Sequence, residues 1–232
     1  MMNQTKNKFS DLENIIGRPF NDKELLEQVF VHRSYLNEHP GFKLSSNERL
    51  EFLGDAVLEL VVTENIYKAY DKNEGELTSL RSALVKGKNL AKVARKLNLS
   101  KYLLLSKGEE KNQGRDNDLL LANTFEALVG ALYLDLGFDK TMDFIELQVL
   151  NSLDAILKNE LYVDAKSQLQ EIYQAKRNIT PTYKVLKESG PDHAKKFIVG
   201  VYLNKQKLAQ GLGASKQLAQ TEAARQALLK IN

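Results

Sequence analysis

The sequence contains no cysteine and no tryptophan, and it has only 4 prolines in 232 residues. The absence of cysteine excludes a disulfide framework and a zinc site built on thiolates. No apolar run reaches the length of about 18 residues that a membrane span needs, and the first residues, MMNQTKNKFS, lack the apolar stretch of a signal peptide. The sequence therefore predicts a cytoplasmic protein without membrane contact. Hydrophobic residues make up 43% of the chain, which is enough to bury a core.

A strong excess of charge of one sign is also missing, because 33 Lys and Arg stand against 30 Asp and Glu. The charges are nevertheless unevenly distributed. Residues 160–232 contain 12 basic and 6 acidic residues, which leaves 21 basic and 24 acidic residues for residues 1–159. A basic carboxy-terminal part is typical of a module that binds a polyanion such as a nucleic acid, and chance is the alternative explanation.

Two patterns of apolar residues divide the chain. In residues 1–159 the apolar residues recur at helical spacing, and Gly137 lies where a helix is expected to end. Residues 160–232 instead predict a helix over 164–176, strands over 182–186, 196–203 and 207–210, and a final helix over 215–230. The sequence thus predicts an all-α domain over residues 1–159, followed by a small α+β domain of order α-β-β-β-α over residues 160–232.

The segment NERLEFLGDAVLELVV, residues 47–62, predicts a helix with three carboxylates on one face. At about 100° per residue, Glu48, Glu51 and Asp55 fall within an arc of about 60°. Apolar residues cover most of the remaining surface, so we expect the helix to be buried. Carboxylates clustered on a buried helix are unfavourable unless a cation or hydrogen bonds neutralise them. The pattern predicts a metal site, and a solvated acidic face is the alternative.

A second apolar helix, over residues 119–133, carries Asn123 and Glu126 three positions apart and hence on one face. Packed against the first helix, it would complete a group of oxygen ligands. Such ligands, without Cys and without a neighbouring His, favour Mg²⁺ over zinc, with Mn²⁺ able to substitute.

Four other residues bear on this site. Gly54 and Gly130 lie in the middle of the two apolar helices, where they indicate close helix packing. Glu74 begins a third predicted helix, a position at which the helix dipole alone explains an acidic residue. His32 is more typical of a hydrogen-bonded structural histidine than of a general base, so we assign it no catalytic role.

These segments resemble bacterial ribonuclease III, an endonuclease that cuts double-stranded RNA. In the nuclease part the resemblance rests on NERLEFLGDAVLEL at 47–60 and, in the family's order, on FVHRSY at 30–35, EGELTSLRSALV at 74–85, SKGEE at 106–110 and LANTFEALVGALYLD at 121–135. The remainder is similar to a double-stranded-RNA-binding domain through DAKSQLQE at 164–171, PTYKV at 181–185, GPDHAKKFIVGV at 190–201, GLGASK at 211–216 and AARQAL at 223–228. Together these matches cover nearly the whole chain.

The resemblance implies a Mg²⁺-dependent endoribonuclease that leaves 5′-phosphate and 3′-hydroxyl ends and acts in rRNA precursor processing and mRNA turnover. It implies that the metal ligands are Glu51, Asp55, Asn123 and Glu126. The three acids among these ligands are also implied to be catalytic. Glu48 and Glu74 are implied to be auxiliary acids. It also implies a homodimer in which Phe52 is an aromatic knob that enters the partner subunit. Core packing is the alternative for Phe52.

Asn123 departs from the resemblance, because the family usually has Asp at this position. Asn offers one neutral oxygen but removes a negative charge, so we expect weaker metal binding. An alternative function follows, in which the chain is a weakened or inactive homologue that binds double-stranded RNA without cutting it. We favour the active enzyme because the other five acids are present. A helical scaffold with structural acids is least favoured, since it leaves the carboxylates without a cation.

RNA binding by the carboxy-terminal domain is likewise implied by resemblance. Such domains recognise the shape of a duplex across about 16 base pairs. The residues expected to contact RNA lie on the first helix, in a loop and at the start of the last helix: Ser167, Gln170, Glu171, His193 and Lys216. Gln217 stands where the family commonly has a lysine, so one phosphate contact is expected to be lost, with a salt slope lower by about one.

Overall fold

The computed structural model describes residues 8–153, 165–191 and 195–231, and the structural statements below refer to these residues. The chain divides into two compact units, Met1–Tyr162 and Val163–Asn232. The predicted boundary between residues 159 and 160 falls in the segment 154–164, outside the described residues, and stays a prediction.

The first unit is helical, as predicted. Its α-helices are α1 (Ser10–Ile16), α2 (Lys23–Gln28), α3 (Arg33–Glu38), α4 (Glu48–Ala69), α5 (Glu74–Val85), α6 (Gly87–Lys96), α7 (Lys107–Lys111), α8 (Asp118–Leu136) and α9 (Phe138–Gln148). Short 3-10 turns occupy Leu99–Tyr102, Gly114–Asp116 and Leu150–Ser152. Gly137 ends α8 with a φ of 81°, a backbone conformation that glycine adopts without strain.

Helices α4 and α8 pack along each other at the centre of this unit. Their backbones touch at two glycines, because a Cβ atom on Gly54 would lie 1.7 Å from the carbonyl oxygen of Glu126. A Cβ atom on Gly130 would likewise lie 2.3 Å from the carbonyl oxygen of Leu50. The close packing predicted from the two glycines is therefore confirmed, and it fixes the acidic segment of α4 against α8.

Burial of α4 is less complete than its apolar sequence predicts. Leu58 and Val61 are fully buried, but the side chains of Phe52, Leu60 and Tyr67 are 81%, 56% and 73% exposed. These three positions lie within about 80° of one another around the helix. They form an exposed apolar stripe. Some apolar residues of α4 therefore pack in the core, and others lie on the surface of the unit.

Helix α8 has the length and hydropathy of a membrane span, a combination that the sequence was expected to lack. Among the described residues it is the only helix that does. Its apolar stretch is 56% buried within the protein, where it packs against α4 and α6. This is the pattern of a core helix in a globular domain.

The second unit has the predicted order of elements. Helix α10 (Ala165–Arg177) is followed by strands β1 (Thr182–Ser189), β2 (Lys196–Leu203) and β3 (Gln206–Gly213), and by helix α11 (Lys216–Leu228). The sheet is antiparallel in the order β1-β2-β3, and α11 packs on β2 and β3. A Cβ atom on Gly211 would lie 2.2 Å from the backbone nitrogen of Ala223, so a glycine again permits the close approach of two elements.

Candidate active site and nucleic-acid interface

The packing of α4 on α8 brings all four predicted metal ligands into one neighbourhood. Glu51 of α4 and Asn123 and Glu126 of α8 are half-buried, whereas Asp55 is exposed. The side-chain amide of Asn123 donates a hydrogen bond to the carboxylate of Glu51. The charges of Glu51 and Asp55 both act on Glu126. The two helices thus place these side chains in a single electrostatic environment.

The protonation of the half-buried acids reflects this environment. Burial, together with the charges of Asp55 and Glu51, raises the pKa of Glu126 to about 7. Burial also raises the pKa of Glu51; the hydrogen bond from Asn123 opposes this effect, and the charges of Glu48 and Asp55 add to it. The site holds its carboxylates in a setting that disfavours their negative charge.

The donor set fits a hard divalent cation. A cation would offset the burial and the repulsion that raise the pKa of Glu126, and oxygen atoms are the ligands that Mg²⁺ and Mn²⁺ prefer. In the described part of the chain, no three His, Asp or Glu side chains converge closely enough to hold a metal ion in their present rotamers. If Glu51, Asp55 and Glu126 hold one cation, their side chains turn toward one point when it binds.

Glu48 has partners of its own at the start of α4. Its carboxylate accepts a hydrogen bond of 2.9 Å from the hydroxyl of Ser46 and lies 3.6 Å from the guanidinium of Arg33. Asn47 is buried, and its side-chain amide donates to the backbone oxygen of Val29 at 3.0 Å. Asn47 thereby ties the start of α4 to the preceding segment. The sequence does not predict this contact, because its partner lies 18 positions away and no local pattern marks it.

Glu74 lies apart from the other acids within the chain. It begins α5 and lines a cavity of about 460 Å³, together with Thr63, Tyr67 and Arg81. Thr63 follows Glu51 by 12 positions on α4, which is roughly 18 Å along the helix axis. The structure therefore does not bring Glu74 to Glu51 in a single chain.

His32 caps α3, in line with the structural role expected of it. Its Nδ1 atom accepts a hydrogen bond from the backbone nitrogen of Ser34 and lies 2.7 Å from the hydroxyl of the same residue. Burial lowers the pKa of His32, which favours the neutral imidazole.

In the second unit the predicted RNA contacts lie on the surface. Ser167, Gln170 and Glu171 of α10 are exposed. Ser167 and Gln170 line a cleft of about 320 Å³ that Gln217 of α11 also lines. Lys216 is the first residue of α11 and is exposed, with its Nζ atom 5.7 Å from the centre of the Phe197 ring. His193 lies outside the described residues.

Comparison with protein-family models matches both units. Residues 22–153 match the ribonuclease-III-like family, and residues 165–231 match the double-stranded RNA binding motif. The chain is 45% identical to ribonuclease 3 of a Nitratiruptor species, with 95% of this chain and 96% of that protein covered. Its identity to ribonuclease 3 of Enterococcus faecalis is also 45%, over 96% of both chains.

A solved structure supports the same assignment for the first unit. The nuclease domain of ribonuclease III from Campylobacter jejuni has a TM-score of 0.54 and 42% sequence identity. The match covers 60% of this chain and 97% of the Campylobacter domain, whose region involved in dimer formation is described as structurally flexible. The helical unit, the following α-β-β-β-α unit and these relatives define the class of protein. The chain belongs to the ribonuclease III family of endoribonucleases and carries a double-stranded RNA binding motif.

Proposed function

We propose that this protein hydrolyses phosphodiester bonds in double-stranded RNA with the help of Mg²⁺, leaving 5′-phosphate and 3′-hydroxyl ends. One observation carries the proposal: Glu51, Asp55 and Glu126 share one environment on two abutting core helices, where burial and mutual repulsion raise the pKa of Glu126 to about 7. Neighbouring acids with such shifts are typical of functional sites. The family relationship and the adjoining RNA-binding motif give the substrate class.

The proposed metal ligands are Glu51, Asp55, Asn123 and Glu126, with Mn²⁺ able to replace Mg²⁺. When bound, the cation supplies a Lewis acid that lowers the pKa of a water molecule and offsets charge on the phosphate. The protein's part is to hold the pKa of Glu126 at about 7, so that a bound cation would displace its proton near neutral pH, and to orient Glu51 through the amide of Asn123. Water that attacks phosphorus and displaces the 3′ oxygen leaves a 5′-phosphate and a 3′-hydroxyl. Glu48, already paired with Arg33, is an auxiliary acid.

The second unit is proposed to hold the duplex. Duplex RNA presents phosphates and 2′-hydroxyls across a shallow minor groove, which exposed polar side chains reach without entering the deep groove. Ser167, Gln170 and Glu171 on α10 offer donors and acceptors for such contacts. Lys216 offers a positive charge at the amino-terminal end of α11, where the helix dipole also favours phosphate. His193 is proposed to contact the next minor groove on resemblance alone.

The exposed stripe of α4 supports a homodimer. A two-fold axis passing near Leu60 would lay this stripe against the same stripe of a second copy, and would set Phe52 opposite Tyr67 of that copy. Tyr67 lines the cavity of about 460 Å³ that Glu74 also lines. In this arrangement Phe52 enters the second copy's cavity, and the second copy's Glu74 approaches Glu51. The dimer would thus give the auxiliary acid Glu74 a place beside the other acids.

Processing of rRNA precursors and turnover of mRNA are the proposed roles, on the resemblance to ribonuclease III. Both are made in the bacterial cytoplasm, which is the proposed location.

The direct test is cleavage of a long, perfectly paired RNA in Mg²⁺ by the unchanged chain, by Asn123→Asp and by Glu126→Gln. We expect the unchanged chain to cut, and Glu126→Gln to lose at least about 100-fold in rate, as expected for loss of an acid acting in the reaction. The ends are read by ligation and by phosphatase sensitivity. Absence of cutting by both the unchanged chain and Asn123→Asp would overturn the proposal.

A second function is favoured by one observation, the neutral Asn123 in a site that otherwise presents acids. If only Asn123→Asp cuts, the unchanged chain is a binder of double-stranded RNA whose nuclease site is weakened. If the unchanged chain cuts and Asn123→Asp merely lowers the Mg²⁺ concentration that is needed, Asn123 is a working ligand of an active enzyme.

A further inference from the structure

The sheet of the second unit has one side that its helices do not cover. Along β2, Phe197, Val199 and Val201 are buried and pack with residues of α10 and α11. Side chains alternate between the two sides of a strand, so Ile198 and Tyr202 point away from the helices. We call the side that carries Ile198 and Tyr202 the outer face of the sheet. Helices α10 and α11, which carry residues proposed to contact the duplex, lie on the opposite side.

The outer face has an apolar centre to which all three strands contribute. Leu212 of β3 lies opposite Ile198 of β2. Leu186 of β1 lies at an irregularity in the pairing of β1 with β2, and its Cδ1 atom is 3.2 Å from the position that a Cβ atom on Gly200 would take. The ring of Tyr202 approaches the same position to 2.8 Å. Glycine at position 200 therefore lets a leucine and a tyrosine meet at the centre of the outer face.

This apolar centre is accessible to a binding partner. Leu186 and Leu212 are 43% and 57% exposed, and Ile198 and Tyr202 are half-buried. Single exposed apolar side chains are common on protein surfaces, but apolar side chains that lie together indicate a binding surface.

Lysines accompany the apolar centre. Four exposed lysines belong to the outer face by their register in the sheet: Lys184, Lys187, Lys196 and Lys207. In the part of the chain that the structure describes, none of these four forms an ion pair, whereas Lys195 pairs with Glu188 at 3.4 Å. Glu188 is the only acidic residue of the three strands, and it lies opposite Phe197, which faces the helices. The strands therefore give the outer face four positive charges and no negative one.

Apolar groups combined with positive charge match the chemistry of single-stranded RNA. A single strand exposes base rings together with a negatively charged backbone, and proteins that bind single strands combine stacking side chains with basic ones. A duplex matches the outer face less well, because its bases are stacked inside the helix. The Nζ atom of Lys184 lies 5.6 Å from the centre of the Tyr202 ring. A base against this ring and a phosphate at this lysine would therefore be neighbours, as they are within one nucleotide.

We propose that the outer face of the sheet binds a single-stranded segment of RNA that continues from the duplex. The proposal rests on the proposed function, because the single strand would belong to the same substrate. Bases would lie against Tyr202, Leu186 and Leu212, and the lysines would contact phosphates. A strand of eight residues is roughly 26 Å long, which is enough for several nucleotides. Duplex and single strand would bind together, since they contact opposite sides of the sheet.

The test measures single-strand binding by the full chain while the duplex contacts are occupied. In the Glu126→Gln background, the protein is saturated with an unlabelled RNA duplex. Fluorescence anisotropy then measures binding of a labelled oligouridine of about 12 nucleotides, a length typical of single-strand sites. We expect Tyr202→Ala to lower its affinity at least about 5-fold, as for loss of one stacking contact, and Tyr202→Phe to retain it because the ring remains. Neither variant should change the affinity for the duplex.

The contribution of charge is measured through salt. Lys184→Ala, Lys187→Ala and Lys196→Ala combined should lower the slope of log affinity against log salt by about 2, at about 0.7 for each phosphate contact of a single strand, between about 50 and 200 mM KCl. The corresponding replacement by arginine should keep the slope, because the charges remain.

Two matched controls lie outside the outer face. Leu229→Ala removes an exposed leucine after α11 and should leave the affinity unchanged, whereas Leu212→Ala should lower it. Lys43→Ala, Lys176→Ala and Lys230→Ala combined should leave the slope unchanged, although they alter the net charge as much as the lysine variant does.

Three results would overturn this proposal alone: no binding of the oligouridine, an equal loss in the controls, or a loss in the lysine variant without any in Tyr202→Ala. The last result would mean that the outer face recognises negative charge only, as an acidic protein segment supplies it. Duplex binding and duplex cleavage are measured separately, and their failure would overturn the proposed function instead.

Discussion

The two units hold their functional side chains in different ways. In the nuclease unit, Glu51 and Glu126 are half-buried on core helices, and the charge of Glu51 contributes to the raised pKa of Glu126. In the RNA-binding unit, Ser167, Gln170 and Lys216 are exposed on helix surfaces. Groups that share one environment act jointly, so removing one changes the others. Groups spread over a surface contribute separately, and each loss is expected to be small and nearly additive.

Glycines make both arrangements possible. Gly54 and Gly130 let α4 and α8 meet at backbone distance, and Gly211 does the same for β3 and α11. In the first unit Gly54 meets the backbone of Glu126, which is itself a residue of the candidate active site. A change in this helix contact therefore also moves a residue of the site. In the second unit the contact of Gly211 is with the backbone of Ala223, which is not among the residues proposed to bind RNA. Breaking the first contact should therefore affect chemistry directly.

The largest expected effect is that of Gly54→Ala. Its Cβ atom would lie 1.7 Å from the carbonyl oxygen of Glu126, so α4 and α8 must separate. We expect the free energy of unfolding to fall by about 3 kcal/mol, as in severe overpacking, and cleavage to be lost. Urea unfolding measures the first effect. Gly41→Ala is the control, because a Cβ atom on Gly41 meets nothing within 4 Å. Unchanged stability of Gly54→Ala would show that the helices do not meet as described.

Phe52→Ala tests whether the acids of the nuclease unit are completed by a second copy. An exposed aromatic anchor that enters a partner's pocket contributes about 2 to 4 kcal/mol to association. We therefore expect the dimer dissociation constant to rise by at least about 30-fold, as measured by sedimentation, while the melting of the monomer changes little. Leu147→Ala, which removes another exposed apolar side chain on α9, should leave the dissociation constant unchanged. If Phe52→Ala and the unchanged chain dimerise equally, Phe52 does not enter the partner subunit.

Glu126→Gln should change how the stability of the nuclease unit depends on pH. Without metal, Glu126 keeps its proton up to about pH 7 in the folded protein, whereas its ordinary pKa is 4.5. Between these values folding is linked to proton uptake, so this group lowers the free energy of unfolding as the pH rises through that window. Gln cannot ionise, and the variant should therefore melt higher than the unchanged chain at pH 8, with a smaller difference at pH 5.

The measurement is thermal melting in EDTA at both pH values. Glu146→Gln on α9 serves as the control, for which we expect no such change in the difference. Mg²⁺ should raise the melting temperature of the unchanged chain at pH 8 by more than that of Glu126→Gln, because the variant lacks one ligand. A pH-independent difference would show that Glu126 is not the shifted acid.

Most of the fold follows from patterns in the sequence. The 3.6-residue period over residues 1–159 and the alternation within residues 182–213 predict the order of helices and strands that the structure has. Gly54 and Gly130 predict the contact of α4 with α8, since close packing is the simplest reason for glycine in the middle of an apolar helix. The exposed stripe of α4 could not be separated from its buried side, because Phe52, Leu60 and the core residues have the same apolar chemistry.

The candidate site was predictable as a set of residue types but not as a set of contacts. Helical spacing groups Glu48, Glu51 and Asp55 on one face, yet it does not tell that Arg33 pairs with Glu48. It also does not tell that Asn123 donates to Glu51, because the two residues lie on different helices. Ion pairs and hydrogen bonds between elements depend on tertiary packing, which a local pattern does not contain.

The smallest expected effect belongs to the RNA-binding unit, where Lys216→Ala should remove one phosphate contact. We expect the slope of log affinity against log salt to fall by about 0.9, and the cleavage rate at saturating RNA to stay the same. Gln217→Lys should raise the slope by a similar amount, because it adds a lysine beside Lys216 at the start of α11. Lys207→Ala on β3 is the control for a change of charge alone. If Lys216→Ala instead abolished binding, the exposed contacts would act jointly, and the contrast with the nuclease unit would fail.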